Sequence, residues 1–163
     1  LKIEFFGVRG SFPATGKEFI KYGGNTTCIN IVFDDNIQLI VDAGLGIQKL
    51  GQRLLKENKL DINILWTHFH WDHVQGFPFF GPIYNPNVNL HLYAVDVDEL
   101  SKSLNLQMNG LNFPIKFNNL PSKININHYK SIETNVSKNI KIEKIKTNHT
   151  MNCYGYKFTF QNK

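Results

Sequence analysis

The sequence predicts an α/β or α+β protein in which helices cover a mixed β-sheet. Three observations lead there. β-rich runs and helical patterns follow one another in the order β–β–β–α–β–α–β–α–β–β–β. The run at 62–67 is nearly all apolar on both faces, as expected of a strand buried inside a sheet. No repeat or low-complexity linker interrupts the 163 residues, so positions 1–163 read as a single domain with a core of its own.

Each element has its own local reason. LKIEFFGV alternates loosely and is rich in β-formers, which predicts a strand over 2–8. RGSFPATGKEFIKYGGN carries enough Gly, Pro and Ser to require a long shaped loop. Strands over 27–33 and 38–41 form a hairpin, joined at Asp34, Asp35 and Asn36. GIQKLGQRLLKEN has apolar residues at 47, 50, 54 and 55, a helical period with Lys and Glu opposite. After the strand at 62–67, DHVQGFPFFGPIYNP begins as a short helix and is broken by Gly76, Pro78 and Pro82. VNLHLYA reads as a strand, VDELSKSLNLQM as a helix and NGLNFPIKFNNLPS as irregular. KININHY, NIKIEKIKT and CYGYKFTF alternate as three further strands.

Composition narrows the function classes. With 42% hydrophobic and 19% charged residues the chain is globular, not disordered. A net charge of +5 mildly favours anionic partners, but the lysines are scattered and Arg9 and Arg53 are the only arginines. A solvated basic surface is the plainer reading. Cys28 and Cys153 form neither a disulfide framework nor a C-x-x-C zinc knuckle. No apolar run reaches the ~18 residues of a membrane span, and no signal-peptide pattern opens the sequence, so a cytoplasmic setting is expected.

The stretch THFHWDH, residues 67–73, holds three of the six histidines. In extended backbone His68 and His70 project to one side and can reach a single ion. Asp72 and His73 follow where the chain must turn into a helix, so they can serve a second point nearby. H-x-H-x-D-H therefore offers two ligand pairs whose nitrogen and oxygen donors suit zinc, manganese or iron(II). His91 and His128 stand alone and read as ordinary surface or core residues. His149, after the strand near 139–146, is by itself either a ligand aimed from a strand-end loop or a surface histidine.

Followed by Gly76, this cluster resembles the signature of the metallo-β-lactamase fold superfamily. IVDAG at 40–44 resembles that superfamily's early aspartate motif. FFGVRGSFP at 5–13, YGGNTTC at 22–28 and WTHFHWDHVQGFPFFGPIY resemble a branch allied to ribonuclease Z and the cyclic-phosphate phosphodiesterases. The resemblance implies the first part of an αββα sandwich. It implies two divalent cations, zinc first and manganese or iron as alternatives, with His68, His70 and His149 at one and Asp72 and His73 at the other. Asp42 would support a ligating histidine through a hydrogen bond, and Asp72 would also orient the attacking water or accept its proton. After His149 the chain has no Asp, Glu or His, so the superfamily's bridging aspartate and last histidine find no match. The chain is therefore expected to be the first part of a larger hydrolase, with an open face that favours homo-oligomers.

The activity so implied is that of a metal-dependent phosphodiesterase acting through a metal-bound hydroxide on a cyclic nucleotide or other small phosphodiester. An RNA 3′-end endonuclease of the ribonuclease Z kind is the alternative, although no RNA-gripping insertion is visible, and nucleic acid is not the favoured partner. Esterase or lactonase chemistry and an inactive metal-binding or regulatory module complete the set. Asn25, beside Gly23 and Gly24, presents donors to an anionic substrate or is only a turn. Arg9 and Lys17 in the same loop are candidate phosphate contacts or plain surface.

Overall fold

Residues 1–34 and 37–161 are described by the computed structural model. Asp35 and Asn36, assigned to the hairpin turn, lie outside the described residues, as do Asn162 and Lys163. Three strands, β1 (Lys2–Gly7), β2 (Cys28–Val32) and β3 (Gln38–Val41), pair antiparallel in sequence order. The sheet continues with β4 (Asp61–Leu65), β5 (Asn89–Ala94) and β6 (Lys123–His128), each parallel to its predecessor. Parallel neighbours require crossovers. Here α1 (Ile47–Lys56), the segment containing α2 (Trp71–Val74), and α3 (Val97–Gln107) supply them.

Side-chain alternation sorts the interior into two cores. Ile40, Ile62, Ile64, Leu90 and Leu92 point to one face and pack with Ile47, Leu50, Leu54, Leu100 and Leu104 of α1 and α3. Leu39, Val41, Leu65 and Tyr93 point to the other. Because β3 and the carboxyl ends of β4 and β5 carry apolar side chains on both faces, each face needs its own cover. The second cover is a separate antiparallel ladder of β7 (Ile140–Lys146) and β8 (Tyr154–Phe160), which seats Ile140, Ile142 and Phe160 on that core. The mixed sheet flanked by helices is as the sequence predicts. Its last two strands, however, belong to a second layer and not to the main sheet. One turn of helix, α4 (Ile132–Asn135), joins β6 to this layer through the fully buried Ile132. Four residues are too few to show a helical period, so that element was not legible. The strand expected over 62–67 ends at Leu65, where Trp66 leaves the ladder and its N–H donates to the Tyr93 carbonyl at 2.9 Å.

Two close backbone approaches hold the loops after β3 and β4 together. Ala43 N–H donates to the His73 carbonyl and Gly76 N–H to the Ala43 carbonyl, both at 2.8 Å. A Cβ on Gly76 would meet the Gly44 carbonyl oxygen, and one on Gly44 the Asp72 carbonyl oxygen. Side chains are excluded there. At the opposite flank Arg53 of α1 grips Glu4 of β1 with Nη1 and Nη2 at 3.0 and 2.8 Å. That hydrogen-bonded guanidinium, opposed by partial burial, holds the Glu4 carboxyl at about 2. Among the described residues no helix is long and apolar enough to cross a membrane.

Gly76→Ala is expected to lower the unfolding free energy by about 1–3 kcal/mol through overpacking, read from urea denaturation. The Glu4 pKa lies below its unfolded value, so its stabilising effect is complete above pH 4.5 and lost as pH falls toward 2. The stability gap between the natural chain and Glu4→Gln should therefore close across that window.

Candidate metal centre

The histidine cluster lies beyond the carboxyl ends of β3 and β4, the edge where parallel sheets place their ligands. His68 and His70 occupy the loop between Leu65 and α2, past the end of the strand instead of within it, and they still converge. His149 arrives from the loop between β7 and β8. Its Nε2 lies 3.2 Å from His68 Nε2 and 2.9 Å from His70 Nδ1. The donor atoms of all three lie within 4.8 Å of one another. Zinc–nitrogen bonds of 2.0–2.1 Å in a tetrahedron would set donors about 3.3 Å apart, so the spacing fits one shared cation.

Hydrogen bonding decides which nitrogens face the centre. Asp42, 1% exposed, accepts from Thr67 N–H at 2.8 Å through Oδ1 and from the Thr67 hydroxyl at 2.9 Å through Oδ2. With its proton given to Asp42, the Thr67 oxygen accepts from His68 Nδ1 at 2.9 Å. His68 Nε2 is thereby left with its lone pair toward His149. Asp42 Oδ2 also accepts from His73 Nδ1 at 2.7 Å, which turns His73 Nε2 outward to 3.5 Å from Asp72 Oδ2. Asp72 Oδ2 in turn accepts the Ser11 N–H at 2.7 Å. The His68 and His73 rings lie 4.0 Å apart between centroids, so the Asp72–His73 pair adjoins the three-imidazole cluster.

The electrostatics separate the two histidines. Burial, then the neighbouring imidazoles of His73, His70 and His149, push the His68 pKa down to about 4 against the opposing charge of Asp72. It is a neutral donor at any ordinary pH. For His73 burial alone would act downward, but the hydrogen bond and charge of Asp42, aided by Asp72, raise its pKa above the usual imidazole value.

Of the expected site residues, the structure brings together His68, His70 and His149, places Asp72 and His73 beside them, and puts Asp42 beneath both groups. Asn25 is elsewhere in its bonding: its carbonyl accepts Val8 N–H and Arg9 N–H, and its residue lines a cleft with Glu4, Lys49 and Arg53. Arg9 stacks on Phe12 and Phe19 within its own loop. His128 packs at a tilt against Tyr129, and His91 sits in β5 opposite Asn63 and Asn125. Sequence reasoning missed Thr67, Ser11 and Cys153, whose Sγ lies 3.5 Å from His68 Nδ1. Thr67 opens the THFHWDH stretch and could have been found there. The Ser11 N–H is aimed by a positive φ of 67°, for which the sequence has no signal.

Calorimetric zinc titration should show a loss of about 10- to 100-fold in affinity for Asp42→Ala, because only the orientation of the donors is disturbed. His149→Ala should lose more, since one donor of three disappears.

No family model and no curated protein matches the sequence. Solved structures do resemble the fold. A metallo-β-lactamase fold protein from Bacillus subtilis, YhfI, aligns over 96% of this chain and 57% of its own at a TM-score of 0.61 and 18% identity. A diphosphatase from the PhnP family aligns over 82% of this chain and 49% of its own, with a TM-score of 0.53 and 18% identity. Zn(2+)-bound PqqB from Methylobacterium extorquens aligns over 99% and 60%, with a TM-score of 0.56 and 12% identity. The chain thus spans between half and three-fifths of the length of these neighbours. Its helix-covered mixed sheet, its second β layer and the histidine cluster at their common edge make this a chain of the metallo-β-lactamase fold.

Proposed function

We propose that this protein is a metal-dependent hydrolase and that its substrate is a small phosphodiester. The observation that carries the reading is the arrival of His149 from a separate β layer at about 3 Å from both His68 and His70. Packing alone does not call for three imidazole nitrogens with converging lone pairs, whereas a divalent cation does. When bound, such a cation supplies Lewis acidity toward a phosphoryl oxygen and makes water a nucleophile at neutral pH. The N/O donor set suits zinc first and manganese or iron as alternatives. The His73–Asp72 pair is the candidate for a second cation.

The chain's own residues have separable tasks. Asp42 and Thr67 hold His68 and His73 in the tautomers that leave each Nε2 free. Asp72, fixed by the Ser11 N–H, presents a carboxylate oxygen beside the cluster, where it can orient an attacking water and take its proton. The PhnP-family neighbour is described as a diphosphatase and another as zinc-bound, which supports a phosphoryl substrate and zinc.

The test is hydrolysis of bis-p-nitrophenyl phosphate. Activity should vanish with a chelator and return with zinc or manganese. Asp72→Asn should lower kcat by about 10²–10⁴-fold while the three-histidine site still binds zinc. Stoichiometric zinc with no hydrolysis of any phosphodiester would sink the proposal in favour of an inert metal-binding module.

A further inference from the structure

Among the described residues, the bond from Ser11 N–H at 2.7 Å is the only hydrogen bond that the Asp72 carboxylate accepts, and it reaches across 61 positions. The same Oδ2 lies 3.5 Å from His73 Nε2, so a distant loop sets how Asp72 sits at the centre. That loop holds its donor in a strained form. Ser11 has a φ of 67°, and across it Phe12 N–H donates to the Gly10 carbonyl at 2.9 Å. A three-residue turn with a positive φ at its centre is the strained kind of γ-turn, and it favours glycine over serine. Such a conformation persists only where its surroundings over-determine it.

The surroundings here are two backbone ties and Arg9. Before the turn, Val8 N–H and Arg9 N–H donate to the Asn25 carbonyl, each at 3.1 Å; after it, Ala14 N–H donates to the Gly24 carbonyl at 3.0 Å. Between these ties Arg9 Nε donates to the Phe12 carbonyl at 3.1 Å and closes the turn from outside. The guanidinium carbon lies 4.9 Å from the centre of the Phe12 ring and 4.6 Å from that of Phe19, which belongs to the helical turn Lys17–Phe19 of the same loop. Phe12 is 60% exposed, so burial does little to keep the turn in place. A planar guanidinium can bond a carbonyl and pack on rings at once, which a lysine ammonium does less well.

We infer that Arg9 is a positioning residue: by closing the strained Gly10–Ser11–Phe12 turn it keeps the Ser11 N–H on Asp72 Oδ2, and so fixes the carboxylate that handles the attacking water. Arg9 acts through two intermediaries and not on the substrate. Its Nε and the plane of its guanidinium are already engaged within the loop. The effect on turnover rests on the hydrolase reading, whereas the hold on the Ser11 amide can be measured without it.

Two readouts on the full chain test this. By NMR, hydrogen exchange of the Ser11 amide should quicken about tenfold in Arg9→Met, which keeps the length of the side chain and loses the donor. With zinc and bis-p-nitrophenyl phosphate, Arg9→Met should lower kcat about tenfold and leave KM within about twofold. Arg9→Lys, which restores the charge without the planar fork, should not recover kcat. Ser11→Gly should: glycine adopts the positive φ freely, so in that background Arg9→Met should cost no more than about threefold. Circular dichroism checks that each variant is folded. Where Arg9→Met does not fold, Phe19→Leu, which takes one ring from the guanidinium, should lower kcat about threefold in the same pattern. An unchanged Ser11 amide, a raised KM that Arg9→Lys corrects, or the same loss with and without Ser11→Gly would each overturn the assignment. Quickened exchange in a chain that hydrolyses no phosphodiester would uphold the hold on Asp72 and count against the hydrolase reading alone.

Discussion

The buried carboxylate of Asp42 accepts from the Thr67 amide, the Thr67 hydroxyl and the His73 imidazole, and it thereby joins the end of β3 to the end of β4 and to α2. A carboxylate side chain at 1% exposure is tolerated only when its oxygens are occupied by donors, and here three donors occupy them. The backbone cooperates. Asp42 adopts a φ of 62°, a left-handed conformation that aspartate tolerates better than most residues, and the chain turns there out of the sheet. Glycines 44 and 76 then let the two loops touch without side chains between them. Every nitrogen at the centre is placed, directly or through Thr67, from this one anchor, except those of His70 and His149.

His149 depends on a different force. Its loop reaches the cluster because β7 and β8 bury Ile140, Ile142 and Phe160 against the second face of the main sheet. Two hydrogen bonds set the height of that layer: Tyr154 N–H donates to the Thr67 carbonyl at 3.1 Å, and the Tyr156 hydroxyl to the Trp66 carbonyl at 3.0 Å. Apolar burial is non-directional and fixes the layer only approximately, whereas these bonds fix its register against the loop that carries His68 and His70. A cation held between the layers would couple its own affinity to their packing.

Charge shows the same division between bulk and local properties. The chain is basic as a whole, yet the cleft along the first turns of α3 is lined by three carboxylates and one lysine. Net charge describes the solvated exterior. Selection at a site follows the few groups that face it, within a Debye length of roughly 10 Å.

By itself the sequence determined the alternation of strands and helices, the two-faced apolar strands and the H-x-H-x-D-H cluster with Asp42 upstream. Each of these is written in a period or a spacing of only a few residues, and local backbone geometry converts such patterns directly into structure. The match to the metallo-β-lactamase fold was legible for that reason. Only the tertiary structure decided that the last two strands form a second layer, that His149 meets His68 and His70, and that Ser11 and Thr67 hold the carboxylate and imidazole in place. Those outcomes join residues more than 80 positions apart, and which sheet a strand enters is settled by competition for buried area between whole faces. No local pattern encodes the result of that competition.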